Sequence, residues 1–527
     1  MRRDTSVPGA EGGFGGEPER QEVRQLTEKT AANLGGAVVT GLTNFLIVVV
    51  VTHELFRHSA GILFTATSLF FLLEAAAGLG TGIGLVYFLP RLRHAGDAAA
   101  IRSFVRLAAW PVVLAALVAA ILLAVMPLSL GGVTRGGTHS SNADVLFVLA
   151  IALPFAAVAD LLQAATRGFE QMRVTVLVEK IGRPVAQLCL VAAAGTTGNL
   201  LLVAIAWAFP YVPAACLSYP SLRRLLSGLP VAEPGAVASV PRAGRAFWGY
   251  SAPRAMVGIF QQALQRLDIV LVFLLRGAVA AAVYTAATRF LVMGQMPGGA
   301  IVYAMQPQVS RLLGAGRQRE AEHVYRTSTA WLVTITWPMY LVVALLARPF
   351  LELFGHGYLN ATSVVVVLSA TMLVATAVGQ VDVMLAMTGR SLVNLLDVSI
   401  GLGLNVGLDL LLIPRMGILG AAIGWSVAIL ATNLIPLFQV MALVRMHPFG
   451  RATLTAMAAA VVSILVPSLV ARLIGLSIGA QAGVLGAGCV VYLAAIRWQA
   501  GVLQLDGLGE LARSIRRRGR KPKLLSR

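Results

Sequence analysis

Charge is scarce in this sequence. Only 12% of its 527 residues are charged, against 57% hydrophobic. A soluble chain of this length has too little polar surface to cover so much apolar side chain. Lysine is nearly missing: four of the 42 basic residues are Lys and the rest are Arg. Cysteine is limited to Cys189, Cys216 and Cys489, all inside apolar stretches. No disulfide framework is implied, and the three read as packing residues. No Walker A sequence is present, so the chain does not itself use ATP. His53-Glu54 followed by His58 has the wrong spacing for a zinc-binding HExxH helix. Gly78, Gly80, Gly82 and Gly84 alternate without GxGxxG spacing or a preceding strand, and read as close helix packing. The loops are short as well, the longest expected outer one covering 127–143. That leaves little room for a catalytic domain outside the membrane, so no enzyme is expected.

What is present is a succession of apolar runs of roughly 20 residues, the length that spans a bilayer as a helix. The fold class expected is all-α: a polytopic membrane protein with about 14 transmembrane helices. The expected spans are 34–52, 60–89, 104–126, 144–165, 174–194, 199–220, 247–275, 279–308, 328–347, 359–386, 392–413, 417–440, 452–474 and 477–497. The net charge of +19 fits this picture better than nucleic-acid binding, because the arginines sit in short loops. They cluster in alternate connections: Arg91, Arg93 and Arg102; Arg167 and Arg173; Arg223, Arg224, Arg242 and Arg245; Arg311, Arg317, Arg319 and Arg326; Arg390; Arg445 and Arg451. Under the positive-inside rule those connections, and both termini, are cytoplasmic. The location expected is the cytoplasmic (inner) membrane. The basic tail from Arg513 to Lys523 either sets topology alone or also touches anionic lipid heads.

The chain echoes itself. Phe64-Thr65-Ala66-Thr67-Ser68-Leu69-Phe70 resembles Tyr284-Thr285-Ala286-Ala287-Thr288-Arg289-Phe290, and Arg91-Leu92 resembles Arg311-Leu312 at the same offset. Asp160 with Arg167 echoes Asp382 with Arg390, and Trp207 echoes Trp425. The repeat sets helices 1–6 over helices 7–12, as two pseudo-symmetric six-helix lobes with a site between them and two extra C-terminal helices. The domain reading is a disordered cytoplasmic tail (1–33), an N-lobe (34–220), a cytoplasmic linker (221–246), a C-lobe (247–446), helices 13 and 14 (447–500) and a basic cytoplasmic tail (501–527).

Ionisable residues inside spans are the candidates for function, because hydrocarbon makes them costly. Arg254, Gly258, Gln261, Gln265 and Asp268 follow spacings of four, three, four and three in helix 7, within one narrow arc. A polar stripe along a whole span predicts a wet cavity. Arg266 flanks it, and Arg289 lies on helix 8. Glu74 on helix 2 and Asn44 on helix 1 are expected to converge on the same space. Guanidinium groups there would hold an anion such as phosphate. The blander reading pairs Arg266 with Asp268 or Glu74 and lets Arg254 snorkel to the interface. Glu179, Lys180 and Arg183 read as a local ion-pair network. Asp160 and Asp382 are expected at the cytoplasmic mouth, either as a gate or as local structural contacts.

The stretch Asp397–Ala428 organises the chain. Two apolar runs meet at Ile413-Pro414-Arg415-Met416-Gly417, and Asn405 and Asp409 sit one turn apart on the first. One helix is expected to end near Ile413, since proline cannot continue the hydrogen-bond ladder. The Asn405/Asp409 face is expected to meet protein or water. The Ile-Pro-x-x-Gly-Ile-x-Gly-Ala-Ala pattern through Pro414, Gly417 and Gly420 resembles the polysaccharide flippase family of the multidrug/oligosaccharidyl-lipid/polysaccharide transporter superfamily. Asp409 stands where that family usually has Asn. The resemblance implies alternating access and a polyprenyl-pyrophosphate-linked oligosaccharide as cargo, for cell-surface polysaccharide or cell-wall synthesis. It implies no cofactor, and leaves a coupling ion, H+ or Na+, open. Partners implied are the lipid-linked glycan, membrane lipids, and a glycan polymerase or glycosyltransferases. The alternatives are a lipid II flippase, a cation-coupled multidrug exporter, and an integral-membrane polymerase or glycosyltransferase. The lipid II flippase carries cavity arginines in its first two helices, and this chain has none there.

Overall fold

The computed structural model describes residues 17–130, 139–230, 240–387 and 391–503. The tails at 1–16 and 504–527, the centre of the 127–143 loop and of the linker, and Arg390 lie outside the described residues. Every regular element among the described residues is helical. In the N-terminal half these are α1 (Glu17–Glu54), α2 (Arg57–Ala77), α3 (Thr81–His94), α4 (Ala98–Leu130), α5 (His139–Gly168), a π-helical segment Thr175–Gly182 running into α6 (Arg183–Gly195), α7 (Leu200–Ala208) and α8 (Tyr211–Ser227). Then follow α9 (Val240–Arg276), α10 (Ala278–Gly314), α11 (Gln318–Leu345), α12 (Ala347–Glu352), a 3-10 turn His356–Ala361, α13 (Thr362–Ala377), α14 (Val381–Met387), α15 (Ser391–Met416) and α16 (Ile418–Leu443). The chain closes with α17 (Arg451–Ala460), a π turn Val461–Leu465, α18 (Val466–Leu473) and α19 (Ile478–Trp498).

Twelve helical stretches are long and apolar enough to cross a membrane. The other two expected spans, 174–194 and 279–308, are also helical. The first carries Glu179 and Lys180 in its π-helical part and Arg183 at the start of α6, and the second is α10. α1 starts at Glu17, well before the expected first span at 34.

The elements gather into two bundles. α4 packs on α5 and α5 on α8, while α1 lies on α6. In the second bundle α15 lies along α16, α11 joins α10 to α13, and α17 covers α11. α2 bridges the two by packing on both α9 and α10, with α1 on α10 and α3 on α9. The outer surface is apolar: Leu114, Ile121 and Val125 on α4, and Val490 and Leu493 on α19, are exposed. Such faces suit lipid, where helices satisfy their own backbone groups. Cys189 and Cys216 lie on exposed surface and not in the packing expected for them, because their helices turn that side outward; Cys489 is half-buried.

Several single spans are broken helices. The second is interrupted between α2 and α3, where Leu79 and Gly80 adopt φ of 48° and 67°. The tenth breaks at Gly379, whose φ is 73°. The organising hairpin forms as expected, except that α15 runs to Met416, past Pro414. Arg276, the last residue of α9, explains the extension. Its Nε donates to the Ile413 carbonyl at 3.0 Å and its Nη2 to the Pro414 carbonyl at 2.6 Å. The Ile413 carbonyl, which also accepts the Gly417 amide at 2.9 Å, and the Pro414 carbonyl thus gain charged donors at the helix end. Gly417 then turns the chain with φ 61°. A side chain at Gly420 would collide with the backbone of Leu412 and Ile413, so the two helices approach as only glycine allows.

Candidate functional site

α9 lies between α2 of one bundle and α15 of the other, so its polar residues are distributed among several neighbours. Gln261 and Gln265 are exposed, Gly258 has open space beside it, and Arg254 and Arg266 are half-buried. That much agrees with an accessible stripe. Asp268 departs from it: only 2% exposed, it turns into the C-terminal bundle. There its Oδ2 accepts a hydrogen bond from the Tyr284 hydroxyl of α10 at 2.5 Å, and its Oδ1 accepts the Ile269 amide at 2.9 Å.

Arg266 and Arg289 lie within electrostatic reach of one another. Arg266 places its guanidinium carbon 4.6 Å from the centre of the Phe71 ring of α2. No carboxylate lies within ion-pair distance of it among the described residues, so neither bland pairing, with Asp268 or with Glu74, is formed. Arg289 donates from Nε to the Thr285 carbonyl one turn back, at 3.3 Å. At 1.5 Å per residue Arg266 is about 18 Å along α9 from Arg254, and Arg289 about 16 Å into α10. Both therefore sit near mid-depth with donors to spare.

The N-terminal bundle faces them with carboxylates. Glu74 is half-buried and stands one turn from Phe71 on the same face of α2. The charges of Asp160 on α5, of Glu179 and Arg183, and of Arg266 all reach Glu74. The network expected around Glu179 exists, with Arg167 Nη1 3.4 Å from Glu179 Oε2. Arg183 donates to Gln187 Oε1 at 3.2 Å and to the Tyr211 hydroxyl at 3.1 Å. Thr40 on α1 donates to the Lys180 carbonyl at 2.8 Å, which ties α1 to the π-helical segment. Asn44 lies exposed on α1, with no hydrogen bond to its side chain among the described residues.

Asn405 and Asp409 are fully buried, so their face does meet protein. Asn405 Nδ2 donates to Asp409 Oδ2 at 3.3 Å. Asn405 Oδ1 and Asp409 Oδ1 have no partner among the described residues. Asp268 is within electrostatic reach of Asp409, so α9, α10 and α15 together enclose two carboxylates, an amide and a phenol. Gly424 of α16 closes the site, since a side chain there would strike Asp409 Oδ1.

Asp160 and Asp382 are not brought together. Asp160 belongs with Glu74 and Arg183. Asp382 is exposed in the first turn of α14, and its charge reaches Tyr325 of α11. The two bundles meet elsewhere at that end. Arg91 lies 3.5 Å over the Tyr87 ring of α3, Tyr87 stacks on Tyr250 of α9 at 4.0 Å, and Arg254 lies 3.8 Å over Tyr250. Arg254 thus stacks on a ring where snorkelling was the bland expectation. Sequence reasoning missed this four-layer stack and the role of Tyr284; the available signal was a tyrosine four residues before an arginine on both α3 and α9.

Residues 253–411 match the MatE family model. No curated protein matches the chain. Among solved structures, the lipid II flippase MurJ in its inward closed conformation shares 13% identity at a TM-score of 0.69, covering 90% of this chain and 99% of that one. An inward-facing multidrug resistance MATE family transporter shares 15% identity at a TM-score of 0.57, covering 77% and 96%. A transporter of the same superfamily from Pyrococcus furiosus shares 16% identity at a TM-score of 0.52, covering 81% and 97%. The chain shares the fold of these solved transporters.

Proposed function

We propose that the protein carries a polyprenyl-pyrophosphate-linked oligosaccharide across the cytoplasmic membrane by alternating access of an N-lobe (34–220) and a C-lobe (247–446), with both termini cytoplasmic. The observation that carries this reading is the pair of arginines at mid-depth, Arg266 and Arg289, within electrostatic reach of one another and with no carboxylate ion pair among the described residues. Like charges inside a membrane bundle are costly unless something neutralises them in use. A pyrophosphate does so, and guanidinium donors replace the water it loses. The lipid tail needs no polar path and stays in the bilayer throughout. The unpartnered oxygens of Asn405 and Asp409 are where a proton or monovalent cation would couple to the cycle.

The test is Arg266→Ala and Arg289→Ala, assayed by accumulation of the polyprenyl-linked intermediate on the inner leaflet. Each variant should abolish export while still inserting in the membrane. Lys should rescue only partly, since it keeps charge but loses the planar fork. Wild-type export from both alanine variants would remove the anion site. A second reading, lipid II as the cargo, is favoured by the likeness to the lipid II flippase over 90% of this chain. Rescue of a strain lacking that flippase decides between the two glycans.

A further inference from the structure

Two guanidiniums stand on one bundle and two carboxylates on the other, with Asp268 near the first pair and Arg183 near the second. Arg266 and Arg289 belong to the C-terminal bundle and reach one another. Glu74 and Asp160 belong to the N-terminal bundle and also reach one another. Arg266 and Glu74 feel each other's charge, yet no ion pair joins them, because Arg266 is held on the Phe71 ring. Neither Glu74 nor Asp160 receives a hydrogen bond or an ion pair among the described residues. Their near neighbours are already committed: Glu179 to Arg167, and Arg183 to Gln187 and Tyr211. Accessible carboxyl acceptors on Glu74 and Asp160 thus lie on one wall, and Glu74 is within electrostatic reach of Arg266 on the other.

We propose that Glu74 and Asp160 form a sugar subsite, which accepts the hydroxyl groups of the first sugar while Arg266 and Arg289 hold the pyrophosphate. The inference rests on the lipid-linked glycan reading and assigns the two ends of its head group to opposite walls. Carboxyl oxygens accept hydrogen bonds, so the pair suits a donor-rich ligand such as a polyol. A metal ion is the poorer occupant: no three His, Cys, Asp or Glu side chains gather into a metal site among the described residues, and Arg183 repels a cation from the middle of the cluster. The pyrophosphate is itself repelled by the carboxylates. That fixes the polarity of the bound head, with phosphates toward α9 and α10 and the sugar toward α2 and α5.

The experiment measures binding of two probes to the full chain in lipid nanodiscs: undecaprenyl pyrophosphate, and the same lipid carrying one N-acetylglucosamine. Wild type should bind the sugar-bearing lipid more tightly. Glu74→Gln with Asp160→Asn should weaken that lipid by about tenfold or more, the size of a lost charge-assisted hydrogen bond. The same variant should bind the bare lipid as well as or better than wild type, since a repulsion is removed. Arg266→Ala should weaken both probes. Equal affinity of wild type for the two probes, a comparison that needs no variant, overturns the sugar subsite but spares the carrier reading. So does a double variant that weakens both probes alike, or neither. Binding of neither probe by wild type overturns the carrier reading itself.

Discussion

A guanidinium without a carboxylate is a cost that folding would avoid, and Arg289 bears it with one hydrogen bond to the Thr285 carbonyl. Replacing buried ionic groups by well-packed apolar side chains of similar volume is often neutral or stabilising, by roughly 1–4 kcal/mol for a whole ion pair. Arg289→Met is therefore expected to raise the unfolding temperature in detergent while abolishing transport; a lowered temperature would mark the arginine as structural. Tyr284→Phe should do the opposite. It removes the donor to Asp268 Oδ2 and should cost about 1.5–3 kcal/mol, the scale of a hydrogen bond to a charged group. Read from spacing, Arg266 and Arg289 were recognisable as mid-depth charges. Asp268 was misplaced, because helical periodicity assigns an angle but not a neighbour. α9 has neighbours on several sides, so Arg266 reaches α2 while Asp268, two residues on, reaches α10.

Within the elements, the hairpin of α15 and α16 was the most legible part. Pro414 and Gly417 mark a turn by their own backbone chemistry, whatever surrounds them. The extra residues of α15 were not legible, because they depend on Arg276, which is distant in sequence. The breaks at Gly80 and Gly379 share that difficulty. A glycine in an apolar run reads equally well as a packing site, and Gly80 is both a left-handed break and a contact against Ser251 and Ala255. The hairpin supplies a controlled comparison. Gly420→Ala pushes a methyl group into the Leu412 backbone and should destabilise by about 1–3 kcal/mol, as overpacking does. Gly403→Ala, on α15 with nothing within 4 Å of the added atom, should be neutral or stabilise by up to about 1 kcal/mol through helix propensity. Thermal unfolding of both, with wild type alongside, checks the pair; equal losses would mean that the close approach of the helices carries no weight.

At the scale of the molecule, alternating access requires the bundles to part at one end at a time. In this structure they touch at both. At the end where α2 and α10 begin, Gly61 lies against the Ala278 carbonyl and Arg57 donates to the Gly357 carbonyl at 3.2 Å. At the end where α9 begins, the Arg91, Tyr87, Tyr250 and Arg254 stack closes the seam, and a side chain at Gly84 would strike Ser251 Oγ and Phe247. The repeat in the sequence pointed to a seam between lobes, but it drew the closure to Asp160 and Asp382, because charges stand out in an apolar chain and stacked tyrosines do not. If the stack is the closure that opens during transport, fixing it must stop the cycle. Gly84→Cys with Ser251→Cys, in a chain whose Cys189, Cys216 and Cys489 are replaced by Ser, places two β-carbons close enough for a disulfide. Oxidation should form the crosslink and halt export of the lipid-linked glycan, and reduction should restore it. Tyr87→Ala with Tyr250→Ala should act in the other direction, leaving a lone cysteine at 251 more reactive to an impermeant thiol reagent from the side of α9's N-terminus. Cysteines at Thr138 and Ser227, labelled from opposite sides of intact membranes, identify that side as cytoplasmic. Full transport by the oxidised, crosslinked protein would show that the seam at α3 and α9 never opens, and the moving interface would then have to lie elsewhere between the bundles.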